Sequence, residues 1–343
     1  MGPKKYIGKM LDWYETTFSE QPKEYGCPLE KGDHPEIDLS PLCNALEITY
    51  YQSMLGALQW LISLGRFDVF TAVMSMSRWR IAPRIGHLDR LKRIYGYVRR
   101  YKDGYIRIRT GIPDYSDLPD HQYDWTKTVY GNVTELLPDN MPVPLGKPVV
   151  LTTYVDANLH HDMVTGRAVT ALLHFINQTP FDWYTKRQAT VENATFGSEF
   201  VAARTGVDQI VDIRTTLRYL GVPIQGKTYM FGDNQSVVTN ATVPHSELKK
   251  RHMALSYHKA REAIAAGILV FYHIPGAINP SDLLSKHWSF ADGMPLLRPL
   301  LFWKGETTAC PDPKLQAPHE RNRGECHEKY VVSAEKATKR KIA

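Results

Sequence analysis

The stretch Leu151-Thr-Thr-Tyr-Val-Asp-Ala-Asn158 alternates apolar and polar side chains and brings an acid to the start of a turn. This pattern predicts a strand that delivers Asp156 to one edge of a sheet. Three further carboxylates, Glu199, Asp233 and Asp282, lie in segments that suit convergence with it. Acids held together repel one another unless a divalent cation neutralises them, and oxygen-rich sites suit Mg²⁺ or Mn²⁺. The first hypothesis is therefore a two-metal phosphodiesterase site.

Each acid also has a simpler structural explanation. Asp156 could merely begin a turn, and Asp233, which follows the strand-like Thr228-Tyr-Met-Phe-Gly232, could equally cap the next helix. For Asp282 the helix-capping and dipole explanation is the stronger one. Glu199 is harder to explain in this way, because it lies beside an apolar helical stripe where an unpaired carboxylate would be costly. That stripe comprises Phe196, Phe200, Ala203 and Val207.

Basic charge is concentrated in one part of the chain. The 343 residues carry a formal net charge of +6, but the stretch from Arg78 to Arg109 holds eleven Lys or Arg residues and two acids. Within it, an apolar helical stripe leaves Arg90, Arg93 and Arg100 on the opposite side. The pattern predicts a small three-helix unit with one basic face that binds a polyanion such as nucleic acid. An ordinary solvated face is the alternative.

Cysteine, histidine and hydropathy patterns argue against several classes of protein. The four cysteines lie far apart without a C-x-x-C pair, so neither a zinc site nor a disulfide framework is indicated. His252 and His258 are six residues apart, and the adjacent His160 and His161 point apart, so neither pair suits a metal. No run of about 18 apolar residues is present to span a membrane. The expectation is a soluble intracellular protein.

Periodicity predicts the order of the secondary-structure elements. A short helix or turn is expected over 5–13, and expected helices cover 48 to a stop at Gly65, 68–80, 88–98, 194–219, 234–240, 247–266 and 281–286. Expected strands cover 106–110, 149–156, 168–176, 181–186, 227–232 and 268–274. Three strands in succession, followed by alternating helices and strands, imply a mixed sheet covered by helices. Residues 111–147 are expected to form a partly ordered connection, and the polar tail after Gly305 is expected to be disordered.

Several segments, taken in order, match one family. Two of them resemble the end of the reverse transcriptase of Ty1/copia-type retrotransposons: Tyr51-Gln-Ser-Met-Leu-Gly-Ala-Leu-Gln-Trp-Leu61 and His87-Leu-Asp-Arg-Leu-Lys-Arg-Ile-Tyr-Gly-Tyr-Val98. Later segments resemble the ribonuclease H domain of the same polyproteins: Tyr154-Val-Asp-Ala157, Gly197-Ser-Glu-Phe-Val-Ala-Ala203, Gly232-Asp-Asn-Gln-Ser236 and Asn279-Pro-Ser-Asp-Leu-Leu-Ser-Lys286. The resemblance extends over residues 5–304.

The resemblance implies an α/β ribonuclease H-like fold, with a mixed five-stranded sheet and helices on both faces, preceded by a small all-α unit like a polymerase thumb. It divides the chain into a reverse transcriptase palm remnant (1–47), a helical thumb (48–110), a connection (111–147), a ribonuclease H domain (148–304) and the polar tail (305–343). The implied activity is two-metal hydrolysis of the RNA strand of an RNA–DNA hybrid during reverse transcription.

The resemblance also implies roles for individual residues. The catalytic, metal-binding acids would be Asp156, Glu199, Asp233 and Asp282, holding two Mg²⁺ or Mn²⁺ ions with Asp156 bridging both. In the thumb, nucleic acid would be held by Arg90, Arg93 and Arg100. In the nuclease it would be held by Asn234, Gln235, Lys250, Arg251 and His252. Recognition would use backbone geometry and the RNA 2′-OH groups rather than the bases.

Two departures from the family pattern matter. The Tyr-x-Asp-Asp motif of the polymerase is absent, because Tyr154-Val-Asp-Ala157 belongs to the nuclease. The palm and fingers would then lie upstream of Met1, and this chain is not expected to polymerise by itself. The histidine that many ribonucleases H place shortly before the last acid has no counterpart in Ile274-Pro-Gly-Ala-Ile278, and the nearby His273 is expected to lie in a strand.

The expected partners are an RNA–DNA hybrid and either the upstream polymerase palm and fingers or a second copy, with no membrane. The implied location is cytoplasmic, in virus-like particles, and nuclear. One alternative is a non-catalytic transposon remnant that binds nucleic acid or serves a polymerase subunit as a structural partner. The presence of all four acids argues against it. An integrase-type transferase on a related fold is disfavoured by the fourth acid and by the helical thumb.

Overall fold

The computed structural model describes residues 2–120, 123–248 and 250–301. The chain divides into two compact units. Within the described residues, the first unit comprises 2–108, 160–166 and 282–301, and the second comprises 109–159 and 167–281 without 121, 122 and 249. The tail predicted over 305–343 and the last residues of the predicted ribonuclease H domain, 302–304, lie outside the described residues.

The elements follow the chain in this order. The strands are β1 (Leu151–Asn158), β2 (Val169–Ile176), β3 (Thr179–Arg187), β4 (Thr228–Gly232) and β5 (Leu269–His273). The helices are α1 (Lys4–Phe18), α2 (Ala45–Ser63), α3 (Phe70–Ser77), α4 (Ile85–Arg100), α5 (Thr195–Tyr219), α6 (Gln235–Thr242), α7 (Ala254–Ala265), α8 (Asp282–Ser285) and α9 (Phe290–Leu301). Among the described helices, none is long and apolar enough to cross a membrane.

The sheet of the second unit has the strand order β3-β2-β1-β4-β5. The pairs β1–β2 and β2–β3 are antiparallel, whereas β1–β4 and β4–β5 are parallel. Three strands in succession can form a meander, but the parallel neighbours need crossover helices, which α5, α6 and α7 supply. This order confirms the mixed five-stranded sheet of an α/β ribonuclease H-like fold.

One predicted strand is wrong. Residues 106–110 alternate in sequence but form no strand in the structure. The reason lies at Arg109, whose backbone N–H donates to Thr179 Oγ1 at 2.7 Å and whose carbonyl accepts from the same hydroxyl at 3.0 Å. A side chain therefore satisfies the backbone groups that a neighbouring strand would otherwise pair.

The main core of the second unit lies between one face of the sheet and its helices. Phe200, Ala203 and Val207 of α5 are fully buried and pack against strand residues that include Leu172 and Met230. Their spacing of three and four residues places them on one side of the helix, which is the stripe seen in the sequence. Burying each large apolar side chain contributes about 1.5–3 kcal/mol. The stripe thus fixes α5 on the sheet.

The other face of the sheet carries an aromatic layer. Tyr154 of β1 stacks on Phe231 of β4 with ring centroids 5.3 Å apart. Tyr115, from the predicted connection, packs its ring 5.6 Å from Phe231 and hydrogen-bonds Thr152 Oγ1 at 2.8 Å. Alternate residues of a strand share a face, so Asp156 follows Thr152 and Tyr154 onto this side.

The segment predicted as a connection, 111–147, is packed into the second unit. Besides Tyr115, it supplies Glu135, whose carboxylate receives paired hydrogen bonds of 2.7–2.9 Å from Arg214 and Arg218 of α5. Burial raises the pKa of Glu135, but the hydrogen bonds and charges of the two arginines outweigh it and lower the pKa to about 2. Apolar and ionic contacts together therefore hold this segment in place.

The first unit is helical in the part that includes the predicted thumb. The N-terminal end of α2 lies three residues before the predicted start, because Asn44 and Glu47 form a capping box. The predicted second helix begins as a 3₁₀ turn, Phe67–Val69, before α3. Next to that turn, Arg66 and Asp68 form a completely buried ion pair, and Tyr97 of α4 donates to the same carboxylate at 2.8 Å. The palm remnant predicted over 1–47 lies in this unit too.

Candidate metal centre

Two of the predicted acids meet at the carboxyl ends of neighbouring parallel strands. Asp156 lies near the end of β1 and is 3% exposed, and Asp233 directly follows Gly232, the last residue of β4. The parallel register pairs Val155 with Gly232, so the residues after them emerge at the same edge of the sheet. Asn234, rather than Asp233, caps α6 through the backbone N–H of Val237. The Asp233 carboxylate is thus not used as the helix cap.

Asp282 is brought to the same edge by the residues that precede it. Asn279 is fully buried, and its side-chain N–H donates to the carbonyl of Val155 at 3.0 Å. The side-chain Oδ1 of Asn279 accepts from the backbone N–H and the hydroxyl of Ser281, at 3.2 and 2.6 Å. Ser281 ends the sheet-bearing unit, and Asp282 follows it as the first residue of α8. These bonds tie the turn before Asp282 to the residue before Asp156.

The three aspartates form a compact acidic group. One carboxylate oxygen from each of Asp156, Asp233 and Asp282 lies within 4.8 Å of the others. Three negative charges at this separation repel one another strongly in partly buried surroundings. Three hard oxygen donors that converge at one edge of the sheet are what a divalent cation such as Mg²⁺ or Mn²⁺ needs. The residues present therefore fit a divalent metal.

Glu199 stands apart from this group. Its side chain is buried in the second turn of α5, at 8% exposure, and it is not among the described residues whose ligand atoms converge within 4.8 Å. The turn that carries it is fixed by Gln188, whose side-chain N–H groups donate to the carbonyl of Ser198 and to Thr170 Oγ1 at 2.8 and 2.9 Å. The structure brings three of the four predicted acids together, and metal binding by Glu199 stays a prediction.

Sequence reasoning missed two residues that shape the position of Asp233. A Cβ added at Gly276 would lie 2.8 Å from Asp233 Oδ2, so only glycine leaves room for the carboxylate. His273 ends β5, as predicted, and its Nε2 lies 3.0 Å from the carbonyl of Asp233. Asn279 lies in the segment Asn279-Pro-Ser-Asp282, whose sequence alone indicates no role for it. Its long-range bond to Val155 has no signal in sequence spacing.

The predicted nucleic-acid residues of the nuclease have these surroundings. Asn234 caps α6, and Gln235 donates to Thr239 Oγ1 at 3.2 Å within the same helix. Lys250 lies over the Phe196 ring, 5.5 Å from its centroid, and the 62% exposed side chain of His252 pairs with Glu192 at 3.3 Å. Arg251 is exposed. Lys250, Arg251 and His252 thus share one short segment that begins before a 3₁₀ turn, Arg251–Met253.

The basic face predicted for α4 is not a solvated face. Arg90 pairs with two acids, at 2.8 Å to Asp33 and 2.6 Å to Asp38. Burial raises the pKa of Asp38, but hydrogen bonds from Ser40 and Arg90 and the charge of Arg90 outweigh it and lower that pKa to about 2. The predicted open basic face is therefore wrong at Arg90. The prediction failed because the two acids lie more than fifty residues earlier in the sequence than the helix.

The other two arginines predicted to bind nucleic acid also lie against their own unit. The guanidinium of Arg93 lies 3.0 Å from Glu30 and 4.3 Å from the centroid of the Tyr25 ring. Arg100 lies 5.6 Å from the centroid of the Tyr101 ring. These packed positions satisfy much of the charge that the sequence assigned to phosphate contacts. Nucleic-acid binding by the three arginines stays a prediction.

Comparison with known sequences identifies homologues of this chain. No family model matches it. The retrovirus-related Pol polyprotein from transposon RE2 of Arabidopsis thaliana is 21% identical over 252 residues, 74% of this chain. The corresponding polyprotein from transposon TNT 1-94 of Nicotiana tabacum is 22% identical over 236 residues, 69% of this chain. The chain spans about 15% of the length of each relative. Its homologues are thus Ty1/copia-type polyproteins, as the resemblance indicated.

Solved structures give matches of the same kind. The chain is similar to the N-terminal ribonuclease H domain of rv2228c from Mycobacterium tuberculosis, with 15% identity, a TM-score of 0.32, and coverage of 43% of this chain and 94% of that one. For RNase H1 from Halobacterium salinarum the values are 14%, 0.30, 40% and 95%. For LC11-RNase H1 in complex with an RNA/DNA hybrid they are 15%, 0.31, 40% and 93%. The fold assignment itself rests on the strand order and register of this chain.

Proposed function

We propose that this chain is a retrotransposon-derived ribonuclease H that hydrolyses the RNA strand of RNA–DNA hybrids with two Mg²⁺ or Mn²⁺ ions. The observation that carries the proposal is the convergence of Asp156, Asp233 and Asp282 at one edge of the sheet. Such a cluster of carboxylates suits the metal-assisted chemistry of phosphodiester hydrolysis. The homology to Pol polyproteins supports the same activity class.

The residues divide the work as follows. Asp156, Asp233 and Asp282 would hold the metal ions, with Glu199 completing the set. Bound divalent metal would supply Lewis-acid stabilisation of the scissile phosphate and an acidified water. Asn279 and His273 keep the carboxylate-bearing turns in place through bonds to the backbone of Val155 and of Asp233. Because the donors are fixed before substrate arrives, little reorganisation is needed at the reaction step.

The hybrid would be bound through its backbone. Lys250 and Arg251 would contact phosphates of the hybrid, and the 2′-OH groups would distinguish the RNA strand. This chain spans about 15% of the length of its polyprotein relatives. The activities of the whole polyprotein, including any polymerase, are therefore not proposed for it. We propose that the chain alone extends no primer, because it carries no Tyr-x-Asp-Asp motif. An intracellular location, in virus-like particles and the nucleus, stays a prediction.

Cleavage of a hybrid whose RNA strand is labelled tests the proposal. Wild-type protein should cut the RNA strand in Mg²⁺ and not in chelator. Asp156→Asn and Asp233→Asn should each lower the rate at least about a hundredfold, since each removes a charged metal ligand worth several kcal/mol. The matched control is Asp208→Asn on α5, which removes an acid that is 46% exposed and paired with Arg204 and Lys259.

Circular dichroism should show that all three variants are folded. Undiminished cleavage in Asp156→Asn or Asp233→Asn would refute the assignment of the site. A wild-type protein that binds hybrid but never cuts it, across Mg²⁺ and Mn²⁺, would instead support a non-catalytic nucleic-acid-binding protein.

A further inference from the structure

Arg261 of α7 occupies an unusual position for a charged residue. Its side chain is buried, with the residue only 3% exposed, and among the described residues no carboxylate is hydrogen-bonded to it. Its guanidinium instead donates to three backbone carbonyls, those of Asn240 at 2.8 Å, Val243 at 2.7 Å and Pro244 at 2.5 Å. A planar fork of five donors can make such a set of bonds, whereas a lysine ammonium cannot. Arg261 thus hydrogen-bonds backbone carbonyls in the last turn of α6 and just after the helix.

The segment that Arg261 binds is followed in sequence by the basic residues Lys250 and Arg251. We define the basic loop as residues 243–248 and 250–253, between α6 and α7. Arg261 also donates to Ser246 Oγ at 2.8 Å, and Tyr257 of α7 donates to the carbonyl of Ser246 at 2.5 Å. Lys250 and Arg251 follow within the same loop. Since the loop has no regular secondary structure before Arg251–Met253, its shape depends on these side-chain bonds.

Aromatic side chains from the predicted connection cover the Arg261 guanidinium. Its Cζ lies 4.8 Å from the centroid of the Trp125 ring and 5.8 Å from that of Tyr130, while Tyr257 supplies a third ring at 4.7 Å. Trp125 is 9% exposed and meets Tyr130 edge-on, with 5.7 Å between the ring centroids. Tyr130 is fixed in turn by a 2.7 Å hydrogen bond to His258 of α7. Desolvated cation–π contacts stabilise the guanidinium, and these rings also keep water from the carbonyl bonds.

We propose that Arg261 and Trp125 are positioning residues for hybrid binding: the connection stacks on Arg261, and Arg261 holds the basic loop in the shape that presents Lys250 and Arg251 to phosphates. This inference rests on the proposed function. It assigns the connection a part in substrate affinity through its contacts with Arg261. A disordered basic loop would have to be ordered on binding, which lowers affinity without altering the chemistry.

The test uses the full chain with four variants. Trp125→Ala removes the stacking ring, and Trp125→Phe restores an aromatic ring at the same place. Arg261→Lys keeps the charge and removes the donor fork. The matched control is Val129→Ala, which lies in the same turn with its side chain 85% exposed. The readouts are hybrid Kd by fluorescence anisotropy in Ca²⁺, kcat and KM for cleavage in Mg²⁺, and the rate of trypsin cleavage after Lys250 and Arg251.

Trp125→Ala and Arg261→Lys should raise Kd and KM about tenfold, equivalent to about 1.4 kcal/mol. Over the same variants kcat should stay within about twofold, because the acidic group is unchanged. Trypsin should cut the basic loop faster in both, while Trp125→Phe and Val129→Ala should behave like wild type. A general loss of structure would instead lower kcat and the melting temperature together.

Unchanged Kd and unchanged trypsin cleavage in Trp125→Ala and Arg261→Lys would overturn the inference. A fall in kcat as large as the loss of affinity would overturn it too. If the wild-type protein does not cut hybrid, the proposed function fails. The trypsin and Kd measurements still decide whether the connection holds the basic loop.

Discussion

Gly276 shows how one missing atom can govern the acidic group. A side chain there would start 2.8 Å from Asp233 Oδ2, and the atom in the way is the end of a side chain rather than backbone. We predict that Gly276→Ala changes the melting temperature little, because Asp233 can turn aside. The displaced carboxylate should weaken Mn²⁺ binding and slow cleavage, each at least about tenfold, since ligand position sets both. Isothermal titration with Mn²⁺ and the hybrid assay measure these effects.

Gly56→Ala is the matched control, because a Cβ at Gly56 on α2 meets nothing within 4 Å. It should leave metal binding and cleavage unchanged and raise stability by up to about 1 kcal/mol, as alanine favours a helix over glycine. Normal Mn²⁺ affinity in Gly276→Ala would show that Asp233 does not depend on the space that the glycine leaves.

The placement of Asp156 and Asp233 at a sheet edge was predictable from sequence, whereas the residues that position the acids were not. Asp156 and Asp233 end strand-like segments, and that local pattern places them at a sheet edge without any knowledge of the fold. Asn279 acts through a bond to Val155, 124 residues away in sequence, and no local pattern reports such a partner. The same limit explains Arg90, whose acidic partners could not be foreseen from the helix that carries it.

At the scale of elements, periodicity located the long helices and the strands but failed where side chains replaced backbone partners. The positions of the sheet strands and of α5 in the chain follow directly from the alternation and the apolar stripe. Helix α9 was not predicted, because Pro295 and Pro299 lie inside it and proline normally ends a helix. Helix α7 begins at Ala254, not at 247 as predicted, and the carbonyl of Ser246, which would accept the first bond of a helix starting at 247, accepts from the Tyr257 hydroxyl instead.

A pair of histidines in the first unit, partly buried His161 and buried His287, gives its stability a pH dependence. Ser75 of α3 lies 3.3 Å from Nε2 of His161 and 3.1 Å from Nε2 of His287. Burial, with the neighbouring His287, lowers the pKa of His161 to about 4, and burial lowers the pKa of His287 as well. Glu36 and Asp162 act in the opposite sense on His161 but do not outweigh burial.

Protonation of His161 therefore favours the unfolded chain. Its stabilising effect should be complete above about pH 6.5, the usual histidine pKa, and should be lost as pH falls toward 4. We predict a loss on the order of 1–3 kcal/mol for the first unit across this window, since one pKa unit is worth about 1.4 kcal/mol. Hydrogen exchange of the α3 peptide, followed at several pH values, measures it.

His161→Asn should flatten this pH dependence. The control His160→Asn changes the neighbouring exposed histidine, whose positive φ of 54° asparagine tolerates, and should leave the dependence as in wild type. A pH profile that is the same in wild type and His161→Asn would mean that other groups set the acid stability of this unit.

At the scale of the whole molecule, the proposed hybrid binding could use the basic residues of α4 or those of the basic loop. The net charge of +6 does not say which, because much of the charge on α4 is engaged with Glu30, Asp33 and Asp38. We predict that replacing Lys250 and Arg251 together with alanine lowers the slope of log affinity against log salt by about two units, one for each phosphate contact. Fluorescence anisotropy in Ca²⁺ over a salt series measures the slope.

Arg90→Ala should behave in the opposite way. It should cost roughly 1–3 kcal/mol of stability by removing the charged donor that Asp33 and Asp38 share, and should hardly change the salt slope. A large change of slope in Arg90→Ala, with an intact slope in the Lys250/Arg251 variant, would transfer the binding surface from the basic loop to the thumb.

The interrupted composition of the first unit has a consequence for its synthesis. Residues 2–108 leave the ribosome early, but the segment that completes their packing begins only at 282. Thr71 then bonds the carbonyl of Leu283, Tyr97 meets Trp288 edge-on, and the backbone N–H of Tyr105 bonds Leu301. At about 5–20 residues per second the intervening sequence takes roughly 10–35 s to translate. The nascent helices must wait that long for their last partners, so chaperone occupancy on the ribosome should be highest before residue 282 emerges.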